Sequence, residues 1–251
     1  MSPQDGPVAD VWSDIHCPWA LVALHRLRAA RQAHKLEVIF APRAWPLEWV
    51  NRRGTPREII TAETAALASH EPGLFSAYTN PSWPSTFLPA FELVAAANRR
   101  YGTRIAEEVD YALRLAFFRD GVDVSIEAGL RQALDVAVGS GVALHAGELM
   151  TEWMETNVRA DVAADYRRSK AMPIQGSPQI FWPDGTTTHN PGMTDHHWRN
   201  GLVRIQASDP SMPGQTLLAA LGHGHFPGQA DAPTDRTEHQ DRARAVLCRR
   251  G

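Results

Sequence analysis

Cys17 is the residue in this chain best placed to do chemistry. It stands in Asp14-Ile15-His16-Cys17-Pro18-Trp19-Ala20, after the apolar run Val8-Ala9-Asp10-Val11-Trp12 and before an amphipathic stretch with helical spacing. Cysteine reacts as its thiolate. At a strand-to-helix junction the sulfur sits at the positive end of the helix, which is expected to lower the thiol's pKa. The first-turn N–H groups, including those of Trp19 and Ala20, have no partner within the helix and are available to that charge. Pro18 suits the first turn, where its missing N–H would be unpaired anyway. His16 is read either as a stabiliser of the thiolate or as a solvent-exposed ring. Asp14 is read either as a buried acid relaying a proton near the thiol or as a cap on the helix start. Trp19 is expected to line a substrate groove. A dithiol redox motif would place a second cysteine at position 20, and Ala20 stands there instead. A mixed disulfide on Cys17 would then need an outside thiol, or another cysteine, to resolve it.

Other chemistry-bearing residues form weaker patterns. Cys248 is the second cysteine of the 251-residue chain, and no packing signal in the tail brings it toward Cys17. His189, His196 and His197 with Asp195 lack the helix-facing i, i+4 spacing of a metal site, so no metal is expected. His223 and His225 flank Gly224 and read as solvated. Trp45, Trp49, Trp83 and Phe87 are candidates for lining a cavity. No Walker loop, dinucleotide-binding glycine motif or H-E-x-x-H pair occurs.

The elements that must position Cys17 follow from periodicity. Val8 to Trp12 reads as a strand, 18–32 as a helix and 36–40 as a second strand, giving the strand–helix–strand order of a parallel pair. Pro42 to Pro46 is expected to end that unit. Residues 55–171 read as almost wholly helical. Thr55, Pro56 and Glu58 mark a helix start, 61–69 is alanine-rich, and apolar faces recur over 87–101, 105–119, 125–138 and 157–171. Strand signals return at 179–182. Pro183-Asp184-Gly185 forms a turn, and 186–189 fits a paired strand. A last helix is expected within 215–221, and the chain from 222 reads as a mobile tail. The division is therefore a discontinuous core, 8–54 and 172–221, interrupted by a helical insertion over 55–171.

Composition narrows the function. A net charge of −3 suggests neither nucleic acid nor an anionic membrane as partner. Two cysteines make no disulfide scaffold. No run approaches a membrane span, and Met1 to Pro7 has no signal-peptide pattern, so a reducing cytoplasm is the expected compartment.

Two motifs together resemble the DsbA family of thioredoxin-fold proteins, nearest to its FrnE-like and 2-hydroxychromene-2-carboxylate isomerase-like branch. One is Asp14-x-x-Cys17-Pro18-Trp19, matching the family's D-x-x-C-P-W-C except for Ala20. The other is Gly176-Ser177-Pro178-Gln179-Ile180-Phe181, the loop before the third core strand. Arg43-x-Trp45-Pro46-Leu47 and Ala116-Phe117-Phe118-Arg119-Asp120-Gly121 add to the likeness, which covers about residues 8–221. The resemblance implies an α/β thioredoxin-like fold with a large all-helical insertion. It also implies a cis peptide before Pro178, with Pro178 facing Cys17 and the Ser177 backbone pairing with an extended substrate.

The expected activity is monothiol thiol–disulfide exchange, with Cys17 attacking a disulfide-bearing protein or small disulfide. No cofactor is expected to bind tightly; a low-molecular-weight thiol, glutathione or mycothiol, would be the cosubstrate. Two readings stand beside it. One is a glutathione-dependent isomerase or kappa-class-like transferase acting on an apolar small molecule. The other is a redox-inactive module that binds a thiol or a partner.

Overall fold

The computed structural model describes residues 6–193 and 195–223. Strand β1 (Val8–Ser13) leads into helix α1 (Pro18–Ala33), which returns to strand β2 (Ile39–Ala44). β1 and β2 pair in parallel, with Val8 opposite Ile39 and Ser13 opposite Ala44. β2 lies later than the apolar run at 36–40 indicates and passes through Pro42. The reason is its place in the sheet, whose order is β2-β1-β3-β4. On an edge strand a proline's missing N–H can face away from the ladder.

After β2 the chain turns helical: α2 (Leu47–Val50), α3 (Arg57–Leu67), α4 (Leu88–Tyr101), α5 (Thr103–Phe118), α6 (Glu127–Gly139), α7 (Ala146–Glu155) and α8 (Arg159–Ser169). The chain then re-enters the sheet with β3 (Gln179–Phe181), antiparallel to β1, and β4 (Thr187–His189), antiparallel to β3. A separate hairpin follows, β5 (Asp195–Arg199) and β6 (Leu202–Ala207), and helix α9 (Met212–Ala220) closes the described fold. The hairpin is absent from the sequence reading. Its signal is the Asn200-Gly201 pair, both with positive φ, the combination a two-residue hairpin turn demands. Cys248, His225 and most of the 222–251 tail lie outside the described residues.

Two apolar cores result. The smaller joins the sheet to α1 and α9 through Ala9, Val11, Leu24, Leu27, Phe40, Ile180, Trp182 and Leu217. The larger belongs mainly to the helical segment and includes Ile60, Leu67, Phe87, Leu93, Leu113 and Phe117, but it also takes Cys17, Trp19 and Leu21 from the start of α1. Helix α1 thus spans both cores. Its first turn, where the cysteine sits, is packed by the helices and not by the sheet. Among the described residues no helix is long and apolar enough to cross a membrane.

Candidate active site

Cys17 is the N-cap of α1, with extended backbone (φ −86°, ψ 112°). Its Sγ donates to the Ser177 carbonyl at 3.2 Å. The Ser177–Pro178 peptide is cis, so the two motifs meet across the end of β1 and β3. Ser177 makes a second link, its Oγ accepting from the Asp14 N–H at 2.9 Å. The loop is fixed from behind by β4. The Pro178 carbonyl accepts from the Asn190 N–H at 3.0 Å and from His189 Nδ1 at 3.1 Å. A Cβ at Gly176 would come within 2.7 Å of His189 Cε1, so a larger residue there would have to displace the ring that holds the Pro178 carbonyl.

Asp14 and His16 are both fully buried. Asp14 Oδ1 accepts from the His16 N–H at 2.8 Å and from His16 Nδ1 at 2.6 Å. Asp14 Oδ2 accepts from the Leu47 N–H at 2.5 Å. Asp14 therefore supports the first residue of α2 and does not cap α1. Burial pushes its carboxyl up, but the His16 ring and the N–H groups of Leu47 and His16 outweigh that and hold it below the ordinary carboxylate value. The His16 ring stacks on Phe87 at 4.1 Å, so it is not the solvent-exposed ring of one sequence reading. With Nδ1 committed to Asp14, its Nε2 is buried and has no hydrogen-bond partner.

The expected activation of the thiol is overturned. Cys17 is only 5% exposed. Burial, the largest influence, together with the Glu63 carboxylate pushes the thiol up to about 12; hydrogen bonds from Ser177 and the Ala20 N–H work in the opposite direction, and Asp14 adds a further push. The helix N-terminus does help the charged form through Ala20, but desolvation of an anion outweighs one N–H bond. Trp19 is likewise 5% exposed and stacks on His196 of the hairpin at 4.2 Å, so it is covered and lines no open groove. Pro18 and Ala20 are buried in the same turn.

Two residues outside the sequence motifs complete the site. Glu63 of α3, half-buried, contributes the negative charge that, after burial, does most to push the Cys17 thiol up. Arg114 of α5, 1% exposed, donates to the Asp14 carbonyl at 2.6 Å and to Ser13 Oγ at 2.8 Å. It is held by Asp110 one turn earlier, at 2.8 and 3.0 Å. The i, i+4 spacing of Asp110 and Arg114 beside an apolar face was the available signal for the second; an acid in an alanine-rich helix gave none for the first.

The remaining candidates disperse. His189 holds the proline loop, His196 covers Trp19 and His197 is exposed; among the described residues no group of His, Cys, Asp and Glu could hold a metal. Trp83 and Phe87 pack with Phe117, and Trp49 packs on Tyr166. A cavity of about 220 Å³ does separate β2 from α4 and α8, but Phe91, Val94, Asn98, Asp161 and Asp165 are among its walls, and none of the four expected aromatics is.

A parallel β1-α1-β2 unit, an antiparallel β3-β4 pair and a cis-proline loop against the N-terminal cysteine of α1 define a thioredoxin-like fold, here with a large helical insertion between β2 and β3. Solved structures agree. The chain aligns with a protein from Streptomyces coelicolor assigned as a DsbA oxidoreductase, at 20% identity over 90% of this chain and 94% of that one, with a TM-score of 0.56. It aligns with a protein from Nitrosomonas europaea assigned as a disulfide isomerase, at 18% identity over 88% and 100%, with a TM-score of 0.58. No family model and no curated protein matches the sequence.

Proposed function

We propose that the protein is a thiol–disulfide oxidoreductase working with one thiol in a reducing cytoplasm. The observation that carries this reading is the Cys17 thiol 3.2 Å from the Ser177 carbonyl beside a cis-proline, in a fold shared with proteins assigned to disulfide chemistry. Cys17 loses its proton, its sulfur attacks a disulfide R–S–S–R′, the S–S bond breaks, and R′S⁻ leaves and takes up a proton. Ala20 cannot resolve the resulting Cys17–S–S–R. A low-molecular-weight thiol, glutathione or mycothiol, attacks it, releases R as a mixed disulfide with that thiol, and regenerates Cys17. His16 Nε2, unpartnered and tied through Nδ1 to Asp14, is the acceptor that this loop offers for the thiol proton. Half-buried Ser177, beside the cis Pro178, is the wall against which the disulfide docks, while Pro18, Trp19 and Ala20 are buried around the thiol.

One observation favours a second reading. A thiol pushed up to about 12 is a poor resting nucleophile, and in a glutathione-dependent isomerase or transferase the bound small thiol reacts instead. Incubation of the Cys248→Ser protein with oxidised glutathione separates the two. Disulfide exchange predicts a glutathione adduct on Cys17 by intact mass, reversed by reduced glutathione and lost in Cys17→Ser. Failure to form the adduct, with glutathione binding retained in Cys17→Ser, would overturn the exchange reading in favour of the second.

A further inference from the structure

The chemistry above leaves the β5–β6 hairpin without a part. The hairpin forms a sheet of its own, separate from the four-stranded one. Its register sets two faces. His196 pairs with Ile205 and Trp198 with Val203, while His197 pairs with Arg204 and Arg199 with Leu202. Alternation puts the first two pairs on one face and the last two on the other. Val203 is buried in the larger core, with Trp198 and Ile205 packed against it, and His196 stacks on Trp19 at 4.2 Å. On the opposite face His197, Arg199, Leu202 and Arg204 are exposed.

The root of the hairpin lies at the other half of the site. Asn190 donates its N–H to the Pro178 carbonyl at 3.0 Å and its side-chain amide to the Met193 carbonyl at 2.7 Å. The Asp209 N–H closes the base on the Gly192 carbonyl at 3.0 Å. The hairpin thus leaves the sheet beside the cis-proline and lands on Trp19, two residues past Cys17. It bridges the two motifs between which a disulfide must dock, and Cys17 and Trp19 are each only 5% exposed.

We propose that the β5–β6 hairpin is a lid over the Cys17 site, latched by the His196–Trp19 stack, and that a disulfide reaches the thiol when the lid lifts from Trp19. This rests on Cys17 being the reacting thiol. Lifting the lid uncovers Trp198, Val203 and Ile205, so the closed form dominates. It leaves the four-stranded sheet whole, because the hairpin contributes no strand to it.

The test is the rate of iodoacetamide alkylation of Cys17 at one fixed pH, read by intact mass in the Cys248→Ser protein, with His196 kept, His196→Ala and His196→Phe. Alanine removes the stack, whose loss shifts the balance toward the open form roughly three- to tenfold, and the rate should rise by that factor. Phenylalanine keeps a ring on Trp19, and its rate should stay within about twofold of the parent's. Hydrogen exchange supplies a readout that a change confined to the thiol would not move. An undocked two-stranded hairpin holds little structure by itself. Amides of β5 and β6 should therefore exchange faster in His196→Ala by a similar factor, while those of β1 and β3 hold. An unchanged alkylation rate in His196→Ala, an equal rise in His196→Phe, or faster exchange in β1 and β3 as well overturns the lid. Oxidised glutathione keeps the two failures apart. Faster alkylation in His196→Ala with no glutathione adduct even in that variant sinks disulfide exchange and leaves the lid standing. An adduct on Cys17 with unchanged alkylation in His196→Ala sinks the lid alone.

Discussion

At Asp14 one carboxylate does three jobs: it orients His16, supports the first residue of α2 and adds negative charge near the thiol. Replacing it with asparagine leaves an acceptor for His16 but sets an NH2 group against the Leu47 N–H. The expected cost is about 3 kcal/mol, the scale for a buried charged group that loses its hydrogen bonds. The sign of its pH dependence follows from the lowered carboxyl. Asp14 stabilises the fold above the unfolded carboxyl value, and that contribution fades as pH falls through the folded one. The stability gap between wild type and Asp14→Asn, measured by urea unfolding, is therefore full at neutral pH and shrinks in acid. Glu63, raised to about 7, has the opposite sign: its protonated form is favoured by folding, and stability is lost between about pH 4.5 and 7. A gap for Asp14→Asn that stayed constant into strong acid would show that the carboxylate charge is not what matters. Cys17 was legible in the sequence because a cysteine between an apolar run and a helix names its own place. Its high pKa was not, because burial and Glu63 come from a helix far along the chain.

At the scale of elements, the site is an assembly of parts that meet only in three dimensions. The loop between β1 and α1 has two of its carbonyls and a serine hydroxyl gripped by Arg114 of α5. Arg114→Met leaves Asp110 buried without its cation. The expected loss is about 3–5 kcal/mol, measured as a fall in the urea midpoint. Removing both partners in Arg114→Met/Asp110→Leu leaves no orphaned charge and should recover much of that loss. A double variant as unstable as the single one would mean that the loop carbonyls, and not the ion pair, dominate. The sheet and most helices were readable from periodicity, because each has a single buried face. The exceptions have physical reasons. β2 continues through Pro42 because it is an edge strand, and Leu36 lies before it. The β5–β6 hairpin carries histidines and arginines on an exposed face, which hid an alternation that Asn200-Gly201 nevertheless marks.

For the whole molecule, the decisive feature is that α1 belongs to two cores. Leu24 and Leu27 pack on the sheet with Trp182, while Cys17, Trp19 and Leu21 pack with the helices, against which Trp83 and Trp153 also lie. Neither core can release α1 without exposing apolar surface on a helix the other needs, and every buried Leu or Phe so exposed costs about 1.5–3 kcal/mol. Arg114 ties the loop just before that turn to the helical segment by hydrogen bonds. Unfolding in urea should therefore be one cooperative transition, with helix loss by circular dichroism and tryptophan emission superimposing. Cys17 alkylation near neutral pH, slow in the folded state because the thiol is buried and protonated, should accelerate at that same midpoint. If alkylation instead accelerates at lower urea than helix loss, the helical segment parts from α1 before the sheet core gives way. The thiol would then be guarded by docking of that segment, a separable step, and not by the stability of the molecule as a whole.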